Sequence, residues 1–212
     1  EYMNQKNGKN SLGLDSCFED LDNPIELFKN WFSKAEEKEI NDPNAVAVAT
    51  SDKHSQPNVR MVLLKGLSDR GFVFYTNFNS KKGGELKINQ KASMCFHWKS
   101  LRRQVRVLGK VEEVTSKEAD DYYNSRPYKN RISAWASSQS QILDKRETFL
   151  NKIKEYEKKY PDENNVPRPS HWSGWRLLPD EIEFWVDGEG RIHERLNYKN
   201  NNGKWGKEIL YP

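Results

Sequence analysis

At 212 residues the chain is long enough for one well-buried domain, and 12% aromatic residues, seven of them Trp, argue against disorder. The 35 basic and 31 acidic residues leave a net charge of +4, a mild excess that anionic small molecules explain more economically than nucleic acid, for which no recognisable module is present. Two cysteines without a CxxC pair exclude a zinc signature and a disulfide framework and fit a reducing cytoplasm; no run approaches the ~20 apolar residues of a membrane span, and no signal peptide is visible.

Residues 1–22 are polar and carry Gly and Asn, so they read as a mobile N-terminal arm; the start at Glu1-Tyr2 without Met leads us to expect native residues before it. A helix is expected from Asn23, a good cap, with Pro24 at the first helical position and Glu26 three after the cap. Ile25, Phe28, Trp31 and Phe32 follow helical spacing and should face a core. AVAVAT (45–50) reads as a buried strand. Residues 59–65 and 71–76 read as strands joined by a hairpin loop over 66–70. Residues 92–98 and 103–114 form another pair, in which Cys95 reads as a buried small hydrophobe. Thr115 should cap a helix, with Glu118 closing a capping box, that ends before Pro127. A third helix is expected within 141–160, with Leu150, Ile153 and Tyr156 on one face, and 164–170 is a Pro-rich connection. Strands 181–185 and 191–198 flank Asp187-Gly188-Glu189-Gly190, a strong hairpin signal, and 205–210 closes the chain as a strand. Many short antiparallel strands with a few peripheral helices, and no repeats, predict one mainly β domain over 23–212, a β-barrel.

Residues 60–106 carry cationic side chains at the ends and edges of β-type runs, and no nucleophile stands out nearby. That pattern suits holding phosphate groups, with the chemistry carried by a bound phosphorylated cofactor. Neither GxGxxG nor GxxxxGK[ST] is present. Ser80-Lys81-Lys82-Gly83 is a basic turn leading into a short helix, where free N–H groups and two ammonium groups can converge on a phosphate; the plain alternative is a solvated Lys turn. Arg60 and Lys65 bracket Met61, Val62, Leu63 and Leu64. Five apart on a strand, the two cations point to opposite faces, so they serve different ligand groups, or a bulge or strand end re-aims one, or both merely snorkel.

Arg191, His193 and Arg195 alternate and would share one strand face, where they repel unless an anionic ligand or a carboxylate compensates; an anionic ligand is weighed there against a bland surface. A lone His without a second ligand at convincing spacing does not make a metal site. Trp185 in the preceding strand can offer a flat wall. Tyr122, Arg126 and Asn130 lie four apart and share a face only if the helix continues past Pro127. AWASSQS (134–140) offers amide and hydroxyl donors that can read a heterocycle edge, or sit in an ordinary loop.

Taken in order, RMVLLKG, GFVFYTN, LRRQVRVLGKVE, SRP…AWASSQS, PRPSHWSGWRLLP and IEFWVDGEGRIHER resemble the pyridoxine/pyridoxamine 5'-phosphate oxidase family, from about Pro24 to Pro212. The resemblance implies an FMN-binding split β-barrel, a homodimer with FMN at the subunit interface. The implied reaction oxidises pyridoxine or pyridoxamine 5'-phosphate to pyridoxal 5'-phosphate as O2 becomes H2O2, by hydride transfer from substrate C4' to flavin N5. Carried over by motif position, FMN falls to Arg60, Met61, Val62, Leu63, Leu64 and Lys65, to Tyr75 and Thr76, and to Lys81 and Lys82. Gln104, Gln139, Ser140, Trp185 and Arg195 complete that set. The substrate phosphate falls to Lys65, Tyr122, Arg126 and Asn130. Arg191 and His193 should lie over the pyridine ring, and Tyr2 matches a Tyr of the family's N-terminal arm. Departures are Lys81 for a usual Arg, Asn130 for Ser, Ser133 for Gly and Val186-Asp187 for Gln-Gly. The rivals are another FMN split-barrel oxidoreductase with a different substrate, and a non-catalytic barrel that stores flavin or binds single-stranded nucleic acid.

Overall fold

Alternating apolar residues in short runs, broken by Gly, Asn and Pro, set the element pattern of the computed structural model, which describes residues 8–212. In chain order come α1 (Pro24–Lys38), β1 (Ala45–Ser51), β2 (Pro57–Leu63), β3 (Gly66–Ser68), β4 (Gly71–Asn77) and α2 (Lys81–Ile88). Then follow β5 (Lys91–Trp98), β6 (Arg103–Glu113), α3 (Ser116–Ser125), α4 (Tyr128–Ala136) and α5 (Arg146–Lys159). The chain ends with β7 (Trp172–Val186), β8 (Glu194–Asn201) and β9 (Lys204–Leu210). Among the described residues the nine strands make one sheet in the order β2-β1-β5-β6-β7-β4-β3, with β8 on β7 and β9 on β8. Every pairing is antiparallel. The long strand β7 divides the sheet: its first half pairs β4 and its second half pairs β8, while β6 runs along both.

One face of this mainly β sheet closes over an aromatic core supplied by α1. The Asn23 side chain accepts from the Ile25 amide, Pro24 opens the helix, and Ile25, Leu27, Phe28, Trp31 and Ala35 are buried. Phe28 meets Phe72 edge-on at 4.9 Å and Phe96 at 5.0 Å; Trp31 meets Phe184 at 5.1 Å. Truncating a fully buried ring such as Phe28 to Ala would cost about 3–5 kcal/mol, a large share of a domain's stability. The capping box of α3 forms as expected, Thr115 and Glu118 bonding reciprocally.

Several expectations are corrected. The arm boundary at residue 22 does not coincide with where packing begins: Leu14 and Phe18 are buried in the core, and the Trp31 indole and Tyr198 hydroxyl donate to the Cys17 and Leu21 carbonyls. Strand β1 is not buried throughout but alternates, with Val46, Val48 and Thr50 inward. Residues 59–65 do not form a hairpin with 71–76. Strand β2 ends at Leu63 and pairs β1 instead, while the tight hairpin is β3–β4. Pro127 ends α3 but also starts α4, an element not anticipated, because Pro suits a helix start as well as it forbids a helix interior. The third helix does form within the expected span, as α5, though it buries no residue and Leu150 is exposed. Strand β7 starts at Trp172, well before the expected 181. Cys95 is only half-buried. No helix of the described residues is long and apolar enough to cross a membrane.

Candidate active site

A cavity of about 360 Å3 opens where the ends of β2 and β4 meet α2, α3 and the loop after α4. Lys82 stands in the first turn of α2, whose cap Ser80 accepts from the Gly83 amide. Gly83 is required there, since a Cβ would lie 2.4 Å from the Phe78 carbonyl oxygen. Lys82 is 8% exposed, and its Nζ donates to Thr76 Oγ1 at 3.0 Å and to Gln139 Oε1 at 3.1 Å, both neutral acceptors. Burial lowers its pKa to about 8; the Arg60 charge adds to the drop and Glu85 opposes it.

Behind Lys82, Arg60 donates to the Val48 carbonyl, Thr50 Oγ1 and Glu85 Oε2. Glu85 is itself buried, and the Arg60 and Thr50 bonds offset the desolvation that would raise its pKa, leaving it lowered. Arg60 and Lys65 do part company, and it is the strand end, not the alternation of faces, that re-aims Lys65. Arg60 turns inward to this carboxylate, whereas Lys65 lies past the end of β2, lines the cavity and makes no ion pair among the described residues. Leu64 is buried in the core.

The opposite wall is aromatic. Tyr75 stacks on Tyr122 at 4.1 Å and on Trp172 at 5.4 Å. The Arg126 guanidinium lies 4.7 Å from the Trp172 ring centroid, and its Nη1 is buried without a hydrogen-bond partner. Burial depresses the Arg126 pKa. Among the described residues the cavity thus presents three cations, Lys65, Lys82 and Arg126, with no carboxylate bonded to any of them, beside a flat aromatic wall.

Met61, Val62, Leu63, Lys65, Tyr75, Thr76, Lys82, Gln139, Tyr122 and Arg126 are therefore brought together. Lys81 is exposed at the start of α2, Ser140 follows Gln139 with a left-handed φ of 71°, and Asn130 is exposed on α4. Tyr2 lies outside the described residues.

Gln104, Trp185, Arg191, His193 and Arg195 are gathered elsewhere. Gln104 pairs Trp185 across β6–β7, and Trp185 pairs Arg195 across β7–β8. The Arg191–His193–Arg195 alternation does not form a strand face, because β8 starts only at Glu194. The chain turns instead through Gly188, where a Cβ would lie 1.8 Å from the Ile192 carbonyl oxygen, and Arg191 has φ 64°. His193 folds back over Trp185 at 4.7 Å, with Nδ1 3.1 Å from both the Gly188 amide, which donates to it, and Asp187 Oδ1. Arg195 is held by buried Glu183, which also accepts from Arg106, and donates to the Tyr211 carbonyl. Trp172 and Trp185 mark the two ends of β7, roughly 40 Å of strand apart at ~3.3 Å per residue. None of Gln104, Trp185, Arg191, His193 and Arg195 lines the cavity.

Sequence reasoning missed Glu85, Thr50 and Glu183, which hold the arginines, and Trp172. Glu183 carries a legible signal, a carboxylate at an alternate position of the apolar run IEFWV. Glu85 carries none, since its partner is 25 residues away.

A family model described as pyridoxamine 5'-phosphate oxidase matches residues 32–160, and one described as the pyridoxine 5'-phosphate oxidase C-terminal dimerisation region matches 172–212. The chain is 60% identical over 207 residues to a pyridoxine/pyridoxamine 5'-phosphate oxidase of Pelagibacter ubique, covering 97% of this chain and 100% of that one. It is 53% identical to the enzyme of that name in Agrobacterium fabrum, covering 94% and 98%. Among solved structures, PhzG of Burkholderia lata in complex with tetrahydrophenazine-1-carboxylic acid superposes with a TM-score of 0.87 at 28% identity, covering 97% and 100%. A pyridoxamine 5'-phosphate oxidase-related, FMN-binding protein of Nostoc punctiforme, 16% identical with a TM-score of 0.71 and covering 87% and 97%, shares the split-barrel fold. With more than half of its residues shared with both relatives across nearly its whole length, the chain belongs to the pyridoxine/pyridoxamine 5'-phosphate oxidase family.

Proposed function

We propose that this protein is a cytoplasmic FMN-dependent oxidase that converts pyridoxine or pyridoxamine 5'-phosphate to pyridoxal 5'-phosphate. The observation that carries the reading is the set of unneutralised cations in one cavity, of which two are buried or half-buried. Lys82 is a buried ammonium with only neutral acceptors, and Arg126 has a buried, unpartnered Nη1. Each is costly without an anion, and two separate dianions, one on FMN and one on substrate, supply what both lack. FMN, when bound, would accept the hydride from substrate C4' and deliver the electron pair to O2, which with two protons gives H2O2; pyridoxine phosphate would also lose its hydroxyl proton, and the imine formed from pyridoxamine phosphate would take up water and release ammonia.

The protein's own contribution is placement. Lys82, Thr76 and Gln139 form the anchor for the FMN phosphate, with Arg60 behind them. Arg126 and Tyr122 take the substrate phosphate, and Lys65 faces both. Arg191 and His193 orient the substrate ring, with Trp185, Gln104 and Arg195 on the flavin.

We infer that this second set comes from a second copy in a homodimer. Residues paired across strands share a face, so Met61, Ala47, Cys95, Arg106 and Glu183 form one row across the outer sheet. Val59, Met61 and Leu63 are exposed at 64%, 63% and 40% along the β2 edge of that face, and Trp185 and Arg195 lie toward its other side. A two-fold axis through the face would cover the apolar edge and bring the partner's distant set to the cavity.

The test is spectroscopic. The purified protein should be yellow and release FMN on acid precipitation, and anaerobic pyridoxine 5'-phosphate should bleach the flavin band, with air restoring it. A colourless protein that fails to bind added FMN would overturn the cofactor; a flavin that neither phosphorylated substrate bleaches would overturn the reaction.

A further inference from the structure

We propose that the cleft between α3, α4 and the loop at 160–167 is a second anion site, anchored by Arg131, for the phosphate or carboxylate group of a small metabolite. Helix α4 meets that loop along one stripe. The Tyr128 hydroxyl donates to the Tyr160 carbonyl at 2.9 Å, Arg131 Nη2 donates to the Glu163 carbonyl, and Trp135 Nε1 donates to the Pro167 carbonyl at 2.8 Å. Spacings of three and four put these donors on one helix face. Neutral groups make the outer two clamps, so a neutral side chain would also suffice for the middle one.

Arg131 brings a full charge instead. It is 8% exposed, and its Nε is buried with no hydrogen-bond partner. Its one side-chain hydrogen bond among the described residues goes to the Glu163 carbonyl, with no carboxylate on it. A guanidinium has five N–H donors, and a buried cation without a counter-charge is costly.

The cleft beside it holds about 440 Å3 and is lined, among the described residues, by Arg131, Asn124, Asn164, Asn165, Val166 and Pro167, none of them acidic. Two acidic residues adjoin the lining in sequence: Glu163 meets Arg131 through its carbonyl, with no ion pair between the two side chains among the described residues, and Asp162 is engaged locally, its Oδ1 accepting from the Asn164 amide at 2.9 Å and its carbonyl from the Asn165 amide at 3.0 Å. Three side-chain amides around a guanidinium fork match an oxyanion, which accepts from all of them and can be held by the fork in bidentate fashion. The cleft shares no lining residue with the candidate active site. Tyr123 stands between them, its hydroxyl donating to the Arg131 carbonyl at 2.9 Å and its ring 6.0 Å from the Arg126 guanidinium.

The experiment titrates FMN-loaded protein calorimetrically with inorganic phosphate and, separately, with malonate. Arg126→Gln weakens the substrate-phosphate anchor, and of the anion binding that survives in that variant, the part lost on adding Arg131→Gln reports the second cleft. Adding Arg131→Gln keeps an N–H donor for the Glu163 carbonyl but removes the charge. It should weaken the surviving binding by roughly tenfold or more while the melting temperature stays close to that of Arg126→Gln. Phosphate binding stronger than malonate would assign a phosphate ligand; the reverse would assign a carboxylate. Absence of millimolar binding of either anion to Arg126→Gln would overturn the proposal, as would a folded double variant that binds like the single one. Should Arg131→Gln fail to fold, selenate soaked into crystals of the parent decides: anomalous density within hydrogen-bond reach of Arg131 supports the site, and an empty cleft refutes it.

Discussion

Replacing Lys82 probes the cavity's electrostatics most directly. Its ammonium is 8% exposed, donates to the Thr76 and Gln139 oxygens, and has its pKa lowered to about 8, chiefly by burial. A phosphate dianion beside it would reverse that depression, because an opposite charge favours the protonated form. The bound state then has the higher pKa and the free protein the lower one. FMN affinity should therefore be level while the phosphate is a dianion, above its second pKa of about 6, and fall as pH rises through about 8, roughly tenfold per pH unit, until the bound-state pKa is reached. Lys82→Met should cost ~1.5–3 kcal/mol, roughly ten- to a hundredfold in the FMN dissociation constant at neutral pH, and should flatten the alkaline slope. Lys82→Arg keeps a charge that does not titrate in this range, so it should flatten the slope with a smaller loss of affinity. Quenching of flavin fluorescence during titration of the apoprotein measures all three profiles. A parent dissociation constant unchanged across the interval above pH about 8, or Lys82→Met binding FMN as tightly as the parent, would refute the reasoning.

Arg126→Ala should raise the KM for pyridoxine 5'-phosphate by roughly ten- to a hundredfold while leaving the FMN dissociation constant nearly unchanged; abolished FMN binding with an unaltered KM would reverse the assignment of the two phosphate anchors. Arg191→Ala and His193→Ala should lower turnover more than flavin retention, and equal loss of both in steady-state assays of reconstituted protein would place these residues on the wrong ligand. Met61→Glu, at the exposed apolar edge, should yield a monomer in sedimentation with weakened FMN binding, and a flavin-loaded monomer of the parent would contradict the shared site. The Glu118 carboxyl is lowered from 4.5 to about 2, first by the Thr115 amide and then by Arg176. Its stabilisation is present above pH about 4.5 and is lost as pH falls toward about 2. Glu118→Gln should therefore be less stable than the parent at neutral pH and converge with it in acid, as thermal melts across pH will report.

Local chemistry made much of the fold legible. Asn23-Pro24 and the Thr115–Glu118 box each act within one helical turn, and both caps form as read. The β5–β6 pair joins neighbours in sequence, so turn and alternation suffice to place it. What failed was non-local. Residues 59–65 alternate as a strand should, but nothing within them says that they pair with β1 and not with β4. Likewise, Arg191 and His193 look strand-like only until Gly188 permits the close turn that lifts them out of the ladder.

By itself the sequence determined most element types, though not α4 or β3, the caps of α1 and α3, the aromatic core of α1 and, through the set of short motifs, the family. Only the tertiary structure decided that Lys82 meets Thr76 and Gln139. It also decided that Arg60 is held by Glu85 and Arg195 by Glu183, and that the Trp185 set stands a full β7 length from the cavity. The reason is physical: caps and turns are settled by groups a few residues apart. Which strands become neighbours, and hence which distant side chains share a site, is set by the sheet order that buries the apolar faces together.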